Sequence, residues 1–241
     1  MTTGRCIAMW SGPRNISTAM MRAWENRADT VVVDEPFYAH FLHNTGLDHP
    51  MREEVIASGE TDWRVIVDAL TSPPEQGIFY QKHITTHWLE HFSTQWLDAL
   101  DHVFLIRQPE PVVASYAIKR DTLTARDLGY EQQAWLFEHL RARSGCRPAA
   151  VIDSGRFLAD PEAGLRAVCG HLDVPFDEHM LSWPAGARDS DGVWGEHWYD
   201  AVNRSTGFAP ARGTDVTLDR AQRTIANACR PYYESMLEWA L

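Results

Sequence analysis

A short apolar run near the start of the chain is followed by residues that could bind an anion. Arg14 lies in the turn after residues 6–10 (CIAMW), and Ser17 and Thr18 follow where a helical spacing of apolar residues begins. A strand, a tight turn and a helix aim free backbone N–H groups at one point, and the helix dipole favours negative charge there. Arginine and hydroxyl side chains add donors. The pattern predicts a phosphate or sulfate site, although Arg14 could be a surface turn residue and the hydroxyls could only cap the helix.

A second group of candidate side chains follows predicted strands farther along. Glu35 follows residues 30–34 (TVVVD), and Lys82 and His83 follow residues 78–81 (IFYQ). Open α/β sheets bind ligands at the carboxyl ends of their strands. Glu35 and His83 are therefore the two candidates for a general base, with Glu35 preferred, and Lys82 is a candidate for stabilising charge. Glu35 could instead cap the turn that follows it.

These residues depend on strands that alternate with helices. Continuous apolar runs predict strands at 6–10, 30–34, 78–81, 103–106 and 149–152. Helical spacing predicts helices from residue 17, over 86–100, from Pro109 or Pro111, and over 127–144, 161–172 and 218–241. This order indicates an α/β fold with a central parallel sheet covered by helices on both faces. Residues 182–213 predict a long ordered loop, so we expect one domain over 1–241 with a terminal helix packed on it.

The composition limits the partners. A net charge of −11 over 241 residues argues against broad binding to nucleic acid or anionic membranes. No apolar run reaches the ~20 residues that cross a bilayer, and the first residues do not resemble a secretory signal. The four scattered cysteines, Cys6, Cys146, Cys169 and Cys229, fit reduced thiols. We expect a cytoplasmic protein. A homodimer is possible only on the general ground that it is the commonest oligomer, since no feature of the sequence indicates one.

Three histidines recur at a spacing of four residues. His83, His87 and His91 would lie on one face of the helix predicted there. Two histidines at this spacing can bind zinc, but the H-E-x-x-H pattern is missing and no third ligand is evident. We therefore predict a packed or solvated stripe and no metal site.

Three segments resemble the sulfotransferases that use 3′-phosphoadenosine 5′-phosphosulfate (PAPS). The 5′-phosphosulfate loop of that family reads P-[RK]-S-G-[ST]-[ST], and residues 13–18 read PRNIST. A strand that ends at Arg107, followed by Gln-Pro and by Ser115, is similar to the family's 3′-phosphate motif. Residues 34–37 (DEPF) resemble the E-P-[FL] segment of carbohydrate-type and bacterial members. The order of the three segments looks closest to a group of bacterial sulfotransferase-like proteins.

The resemblance implies a fold, a reaction and a set of site residues. The fold is P-loop NTPase-like, with three layers (α/β/α). The reaction moves a sulfuryl group from PAPS to a hydroxyl or amine of a small-molecule or carbohydrate acceptor, with no metal. The residues implied to bind the nucleotide are Arg14, Asn15, Ile16, Ser17, Thr18, Arg107 and Ser115. Those implied to act in catalysis are Arg14, Glu35, Lys82 and His83. Residues 40–68, with Phe37, Tyr38, Phe41 and Trp63, are the expected acceptor wall.

Two other functions stay open at this point. A small-molecule kinase or other nucleotide-dependent transferase would share the fold, but the Walker A pattern G-x-x-x-x-G-K-[ST] is absent. A nucleotide-binding protein without turnover is the second, because Ile16 stands where the family has a glycine. That glycine lets the backbone approach the phosphate closely.

Overall fold

A five-stranded parallel sheet lies at the centre of the chain. The computed structural model describes residues 4–118, 122–143, 147–210 and 216–241. Its strands are β1 (Arg5–Ser11), β2 (Thr30–Asp34), β3 (Ile78–Ile84), β4 (Asp101–Ile106) and β5 (Ala150–Asp153). They are ordered β2-β3-β1-β4-β5, and every neighbouring pair is parallel. β1, which carries the predicted anion loop, is therefore the central strand.

Helices connect the strands and continue after the sheet. The helices in the described residues are α1 (Ser17–Glu25), α2 (Tyr38–Thr45), α3 (Arg52–Ser58), α4 (Trp63–Leu70), α5 (Pro109–Ala117), α6 (Tyr130–Arg141), α7 (Ser154–Ala159), α8 (Pro161–Leu172), α9 (Gly195–Trp198), α10 (Asp200–Asn203) and α11 (Arg220–Leu237). Short 3₁₀ turns cover Thr85–His87, Gln95–Ala99, Arg126–Leu128 and Glu178–Leu181. α5 begins at Pro109, where proline is well tolerated because the first-turn N–H has no partner in the helix.

Alternate side chains of β1 enter two separate cores. Trp10 and its neighbours on one face pack with α4, α5, α6 and α11. Met9 and its neighbours on the other face pack with α1 and α8, and both side chains are at most 1% exposed. Successive strand residues point to opposite faces, so a strand with two apolar faces must be covered on both sides. This confirms the predicted three-layer α/β/α arrangement.

The helix predicted over residues 86–100 is wrong. β3 continues to Ile84, and the segment after it forms only the two 3₁₀ turns 85–87 and 95–99. Trp88, Phe92 and Trp96 recur at helical spacing, yet they enter the core from irregular backbone. The β-branched pair at 85–86 disfavours helix at this point. The hydroxyl of Thr85 also ties the segment to the carbonyls of Ser11 and Gly129.

The region after residue 181 differs in part from the predicted loop. It contains the one-turn helices α9 and α10, and the last helix is α11, capped by Asp219 and Gln222. Residues 211–213 of the predicted loop, residue 144 of the predicted helix 127–144 and Cys146 lie outside the described residues. No helix in the described part of the chain has the length and apolarity needed to cross a membrane.

Candidate active site

The loop between β1 and α1 forms an uncapped helix N-terminus. Ile16 is the residue before α1, and no side chain caps the helix there. Arg14 and Ile16 both adopt left-handed backbone conformations, with φ of 60° and 43°. The buried Asn15 holds the turn by donating from Nδ2 to the carbonyl of Leu105 at 2.6 Å. Capping of the helix by the Ser17 or Thr18 hydroxyl, the alternative left open above, is therefore not observed, and the first-turn N–H groups of α1 have no side-chain acceptor among the described residues.

Ile16 adopts a left-handed backbone conformation, which glycine reaches most easily, at the position where the resembling family has a glycine. Left-handed φ is uncommon for any residue with a Cβ, and for a β-branched residue it is a genuine outlier. Strain of this kind persists only where the surroundings fix it, and it is concentrated at functional sites. The loop therefore retains its close turn in spite of the substitution.

The loop is joined to the segment after β4. Arg14 Nε donates to Ser115 Oγ at 3.0 Å, and Arg107 Nη1 donates to the carbonyl of Arg14 at 2.7 Å. Tyr130 donates through its hydroxyl to the carbonyl of Arg107 at 2.8 Å. We call residues 13–18, Arg107 and Ser115 the anion cradle. The structure thus brings together every residue predicted to bind a nucleotide.

A buried group of charged residues lies at the ends of β2 and β3. Lys82 Nζ donates to Asp34 Oδ1 at 2.7 Å, to Glu35 Oε1 at 2.5 Å and to the hydroxyl of Tyr199 at 2.7 Å. Tyr199 in turn donates to Asp34 Oδ2 at 2.6 Å, and Trp194 Nε1 donates to the Tyr199 hydroxyl at 3.1 Å. We call Asp34, Glu35, Lys82 and Tyr199 the Lys82 cluster. Because an ammonium has three N–H groups, all donors of Lys82 are used within it.

Burial and charge set the protonation states of this cluster. Burial alone would lower the pKa of Lys82, but the charges of Asp34 and Glu35 raise that pKa well above its ordinary value. Burial also raises the pKa of Glu35, and the charge of Lys82 offsets part of that increase. Lys82 is therefore a fixed cation at neutral pH, whereas Glu35 is the carboxyl whose proton affinity is increased.

The backbone of Glu35 is also strained. Its φ is 40°, and its N–H donates to the carbonyl of Lys82 at 2.9 Å. Pro36 follows, so the chain turns sharply as it leaves β2. The turn directs the carboxylate of Glu35 into the cavity between the strand ends.

His83 does not join the other predicted catalytic residues. It follows Lys82 within β3, so its side chain points to the opposite face of the sheet. There its ring stacks on Trp10 with centroids 4.2 Å apart, and Nε2 lies 3.2 Å from Gln81 Oε1. Burial lowers the pKa of His83 to about 3. It is not among the residues that line the cavity.

His87 is one of two site residues, with Tyr199, that sequence reasoning missed. The 3₁₀ turn 85–87 returns it to the cavity, where Nε2 lies 4.0 Å from Glu35 Oε2. Its ring stacks on Tyr38 with centroids 4.5 Å apart and lies 4.9 Å from Phe41. Burial lowers the pKa of His87 well below its ordinary value, so the ring is neutral at neutral pH. Its signal in the sequence is the spacing of four from His83, but that spacing predicts a helical stripe and not a turn into the cavity.

One cavity of about 1300 Å³ joins these groups. This volume exceeds the roughly 300–1000 Å³ typical of a pocket for one small ligand. The cradle follows the central strand β1, so the cavity extends from it in two directions, toward β4 and β5 on one side and toward β2 and β3 on the other. The half toward β4 and β5 is lined by Arg107, Ser115, Leu158 and Phe208. The half toward β2 and β3 is lined by Glu35, Lys82, Tyr199 and further residues that follow those strands.

The expected acceptor wall is present only in part. Tyr38 and Phe41 line the half of the cavity toward β2 and β3. Phe37 is instead 3% exposed within the core. Trp63 lies at a separate surface pocket beside His40 and His91, whose Nε2 atoms are 3.1 Å apart. Thr45, Leu47 and His49 also line the cavity, so the segment 40–68 turns away from it only after His49.

Comparison with known proteins decides the family. The model of the sulfotransferase domain family matches residues 5–240. The chain belongs to this family. Membership confirms the resemblance carried by the loop, the acidic-Pro turn and the Arg107–Ser115 spacing, and it supports a transferase of the sulfotransferase class.

Two longer curated proteins match nearly the whole of this chain. The chain is 33% identical over 228 residues, 94% of its length, to branched-chain-amino-acid aminotransferase-like protein 2 of Arabidopsis thaliana. It is 34% identical over 234 residues, 97% of its length, to protein 1 of the same name. It spans only about two fifths (40% and 42%) of the length of these relatives.

Solved sulfotransferases share the fold. A sulfotransferase from Alicyclobacillus acidocaldarius has a TM-score of 0.60 at 10% identity, covering 100% of this chain and 98% of that one. The sulfotransferase domain of a Synechococcus olefin synthase has a TM-score of 0.59 at 16% identity, covering 94% of each chain. A mouse sulfotransferase solved with PAP has a TM-score of 0.58 at 12% identity, covering 98% and 90%.

Proposed function

We propose that this protein transfers a sulfuryl group from PAPS to a hydroxyl or amine of a small acceptor. The observation that carries the proposal is the uncapped N-terminus of α1 and its link to the segment after β4. Arg14, in the loop before α1, donates to Ser115 through its side chain and accepts from Arg107 at its backbone carbonyl. Two anion-binding groups are thereby held in one cavity, which suits a nucleotide with phosphates at both its 3′ and 5′ positions. The complex of the mouse relative with PAP supports the same ligand.

The residues of the cradle fit PAPS in chemistry and in space. The first-turn N–H groups of α1, with the hydroxyls of Ser17 and Thr18, would hold the 5′-phosphate. Arg107 and Ser115 would hold the 3′-phosphate, since a guanidinium stays charged and presents several donors in a fixed plane. The volume of about 1300 Å³ leaves space for a second molecule beside the nucleotide.

Glu35 is the proposed proton acceptor, with His87 beside it. Its Oε1 is bonded to Lys82, and its Oε2 is the oxygen nearer to His87, 4.0 Å away. Separations of this size in a site without substrate commonly shorten when the reactants bind. Lys82 acts as a positioning residue because its three donors hold Asp34, Glu35 and Tyr199.

Each residue has a defined task in the transfer. When bound, PAPS supplies the sulfuryl group, whose transfer forms the bond from sulfur to the acceptor atom and breaks the bond from sulfur to the 5′-phosphate oxygen. Glu35 takes the proton from the acceptor, and its increased proton affinity favours that step. Arg14 and the N–H groups of α1 stabilise the negative charge that develops on the leaving oxygen.

The test is a calorimetric titration with adenosine 3′,5′-bisphosphate (PAP), compared with ADP and with ATP plus Mg²⁺. We expect PAP to bind in the micromolar range and Arg107→Ala to weaken that binding at least tenfold. Arg64→Ala, a change at an exposed arginine 72% accessible in its side chain, is the matched control and should leave affinity unchanged. Binding of Mg²⁺-ATP without binding of PAP would contradict the proposal and favour a kinase.

A further inference from the structure

A fully buried arginine on α1 joins that helix to residues 188–203, which we call the 188–203 segment. The side chain of Arg22 is 0% exposed, and it belongs to neither the anion cradle nor the Lys82 cluster. Its Nη2 donates to Asp191 Oδ2 at 2.7 Å and to Asn203 Oδ1 at 3.4 Å. A charge is buried at a large cost unless it is paired and hydrogen-bonded. The ion pair with Asp191, which is also buried, therefore fixes the 188–203 segment to α1.

The next turn of α1 binds the same part of the segment. Ser190 donates through its hydroxyl to Glu25 Oε1, and Glu25 Oε2 lies 3.6 Å from Arg22 Nη1. The backbone N–H of Arg188 donates to Asp191 Oδ2 at 2.8 Å, so the chain turns around the ion pair. Residues 188–191 are therefore held on α1 by two charged side chains that lie one turn apart.

The residue after Asp191 contacts the Lys82 cluster. The N–H of Gly192 donates to Asp34 Oδ2 at 3.3 Å, and the hydroxyl of Tyr199 donates to the same oxygen at 2.6 Å. A Cβ at position 192 would lie 2.1 Å from ring atoms of Trp194, so the chain can follow this course only with glycine there. The 188–203 segment thus supplies two donors to one carboxylate oxygen of Asp34.

Asp34 passes this constraint to Glu35. Its other oxygen, Oδ1, accepts from Lys82 Nζ, which also donates to Glu35 Oε1 at 2.5 Å. A rotation of the Asp34 carboxylate would therefore move Lys82 and the hydrogen bond that holds Glu35. A misplacement of about 1 Å in a reacting group can reduce a rate by ~100-fold. The position of the base therefore depends on the 188–203 segment.

Helix α1 is common to the cradle and to this segment. Its first-turn N–H groups lie at the cradle, and Arg22 and Glu25 in its second half hold the segment. One hydrogen-bonded helix therefore sets the place of the nucleotide and of the base. We propose that Arg22 positions the base Glu35 by holding the 188–203 segment on α1. The proposal rests on the proposed function, in which Glu35 takes the proton from the acceptor.

Arg27, just after α1, offers a matched control. It is also buried, at 4% exposed, and its Nε and Nη2 donate to Asp29 at 2.9 Å each. Its Nη1 donates to the carbonyl of Pro175 at 2.7 Å. These partners lie outside the 188–203 segment and do not line the cavity. Arg27→Met therefore removes a buried, paired arginine without releasing the segment.

The test is a pH titration of the full chain with carbon-13 in its glutamate carboxyl groups, followed by NMR, with Glu35→Gln to assign the signal. Burial is the largest cause that raises the pKa of Glu35. A released segment admits water, so we expect Arg22→Met to lower the midpoint by about one pH unit. Arg27→Met should leave it within ~0.3 pH unit. The groups that face Glu35 are unchanged in both variants: Asp34, Lys82, His87 and Tyr199.

Two further variants separate positioning from a loss of folding. Arg22 forms its hydrogen bonds in the described part of the chain through Nη2 alone, so Arg22→Lys keeps a charged donor and should restore most of the midpoint. Asp191→Asn keeps the size of the side chain and removes its charge. It should shift the midpoint in the same direction as Arg22→Met, and it serves if Arg22→Met does not fold.

The outcomes distinguish this proposal from the proposed function. An unchanged midpoint in folded Arg22→Met or, if that variant does not fold, in Asp191→Asn would overturn the positioning role, as would an equal shift in Arg27→Met. Calorimetry with PAP should give the native affinity, within about twofold, for each folded variant, because the cradle is unaltered. Failure of the native protein to bind PAP would overturn the proposed function. The midpoint of Glu35 is measured without nucleotide, so it would still report whether Arg22 positions that carboxyl.

Discussion

The anion cradle and the Lys82 cluster line the same cavity, but they use their charges in opposite ways. In the cluster, each N–H of Lys82 is bonded to a buried partner from the same chain. In the cradle, the first turn of α1 has no side-chain acceptor in the described part of the chain, and Arg14 donates to Ser115, which also lines the cavity. The difference indicates that the cluster is an internally neutralised framework and that the cradle is the part arranged for a ligand.

Removal of Lys82 should have the largest effect on stability. Lys82→Met would leave the two carboxylates of Asp34 and Glu35 buried without their cation. Breaking a buried ion pair by removing one partner costs about 3–5 kcal/mol, so we expect a decrease of that size in the free energy of unfolding measured in urea. Arg64→Met, at an exposed arginine, is the control and should change it by less than ~0.5 kcal/mol. A loss below ~1 kcal/mol for Lys82→Met would contradict the framework role.

Removal of Arg14 should affect binding more than stability. Arg14→Ala removes one charged donor from the cradle, and hydrogen bonds to charged groups contribute about 1.5–3 kcal/mol. We expect the affinity for PAP measured by calorimetry to decrease about 10- to 100-fold, with less than ~1 kcal/mol lost in unfolding. Equal losses of stability in Arg14→Ala and Lys82→Met would remove the distinction between the two regions.

The buried His83 should make the stability of the folded protein depend on pH. Burial lowers the pKa of His83 to about 3 and that of His102 to about 4. Between pH 6.5 and these values, the unfolded chain therefore binds more protons at these histidines than the folded protein does. Their contribution to the free energy of unfolding is fully present above pH 6.5 and is lost as the pH falls. Near pH 5 each histidine contributes a slope of about 1.4 kcal/mol per pH unit.

A variant separates this core role from catalysis. His83→Phe keeps an aromatic ring stacked on Trp10. It should reduce the slope of the free energy of unfolding against pH by the contribution of one histidine, measured by urea unfolding between pH 4 and 6.5. Affinity for PAP and the rate of transfer should stay within twofold of the native protein. A loss of transfer with normal PAP affinity would restore His83 as the base.

Tyr199 should have the smallest effect. Tyr199→Phe removes the hydroxyl that joins Asp34, Lys82 and Trp194 while the ring remains in place. We expect unfolding to lose about 1 kcal/mol, and the pH profile of transfer to shift because Glu35 loses a neighbour. Tyr232→Phe on α11 is the matched control. No change in either measurement would mean that the hydroxyl is not part of the framework.

The cradle could be predicted from sequence because its signals are local. The strand-turn-helix pattern around residues 13–18 and the spacing from Arg107 to Ser115 each lie within one supersecondary unit. The order of strands and helices placed both units at the same edge of the sheet. The alternation of β1 side chains into two cores likewise follows from its continuous apolar sequence.

The half of the cavity toward β2 and β3 could not be predicted because it depends on long-range packing. His87 reaches Glu35 only because residues 85–87 form a 3₁₀ turn tied by Thr85, where helical spacing predicted a helix. Tyr199 lies 117 positions after Lys82, and its hydrogen bond has no local signature. His83 and Lys82 are adjacent in sequence, and only the exact end of β3 determines which of them faces the cavity.

A crystal structure of the protein with PAP tests the central claim most directly. The account predicts the 5′-phosphate at the first-turn N–H groups of α1 and the 3′-phosphate at Arg107 and Ser115. It also predicts that Lys82 keeps its bonds to Asp34, Glu35 and Tyr199. A nucleotide bound outside the cradle, or Lys82 displaced from those partners onto a phosphate, would contradict it.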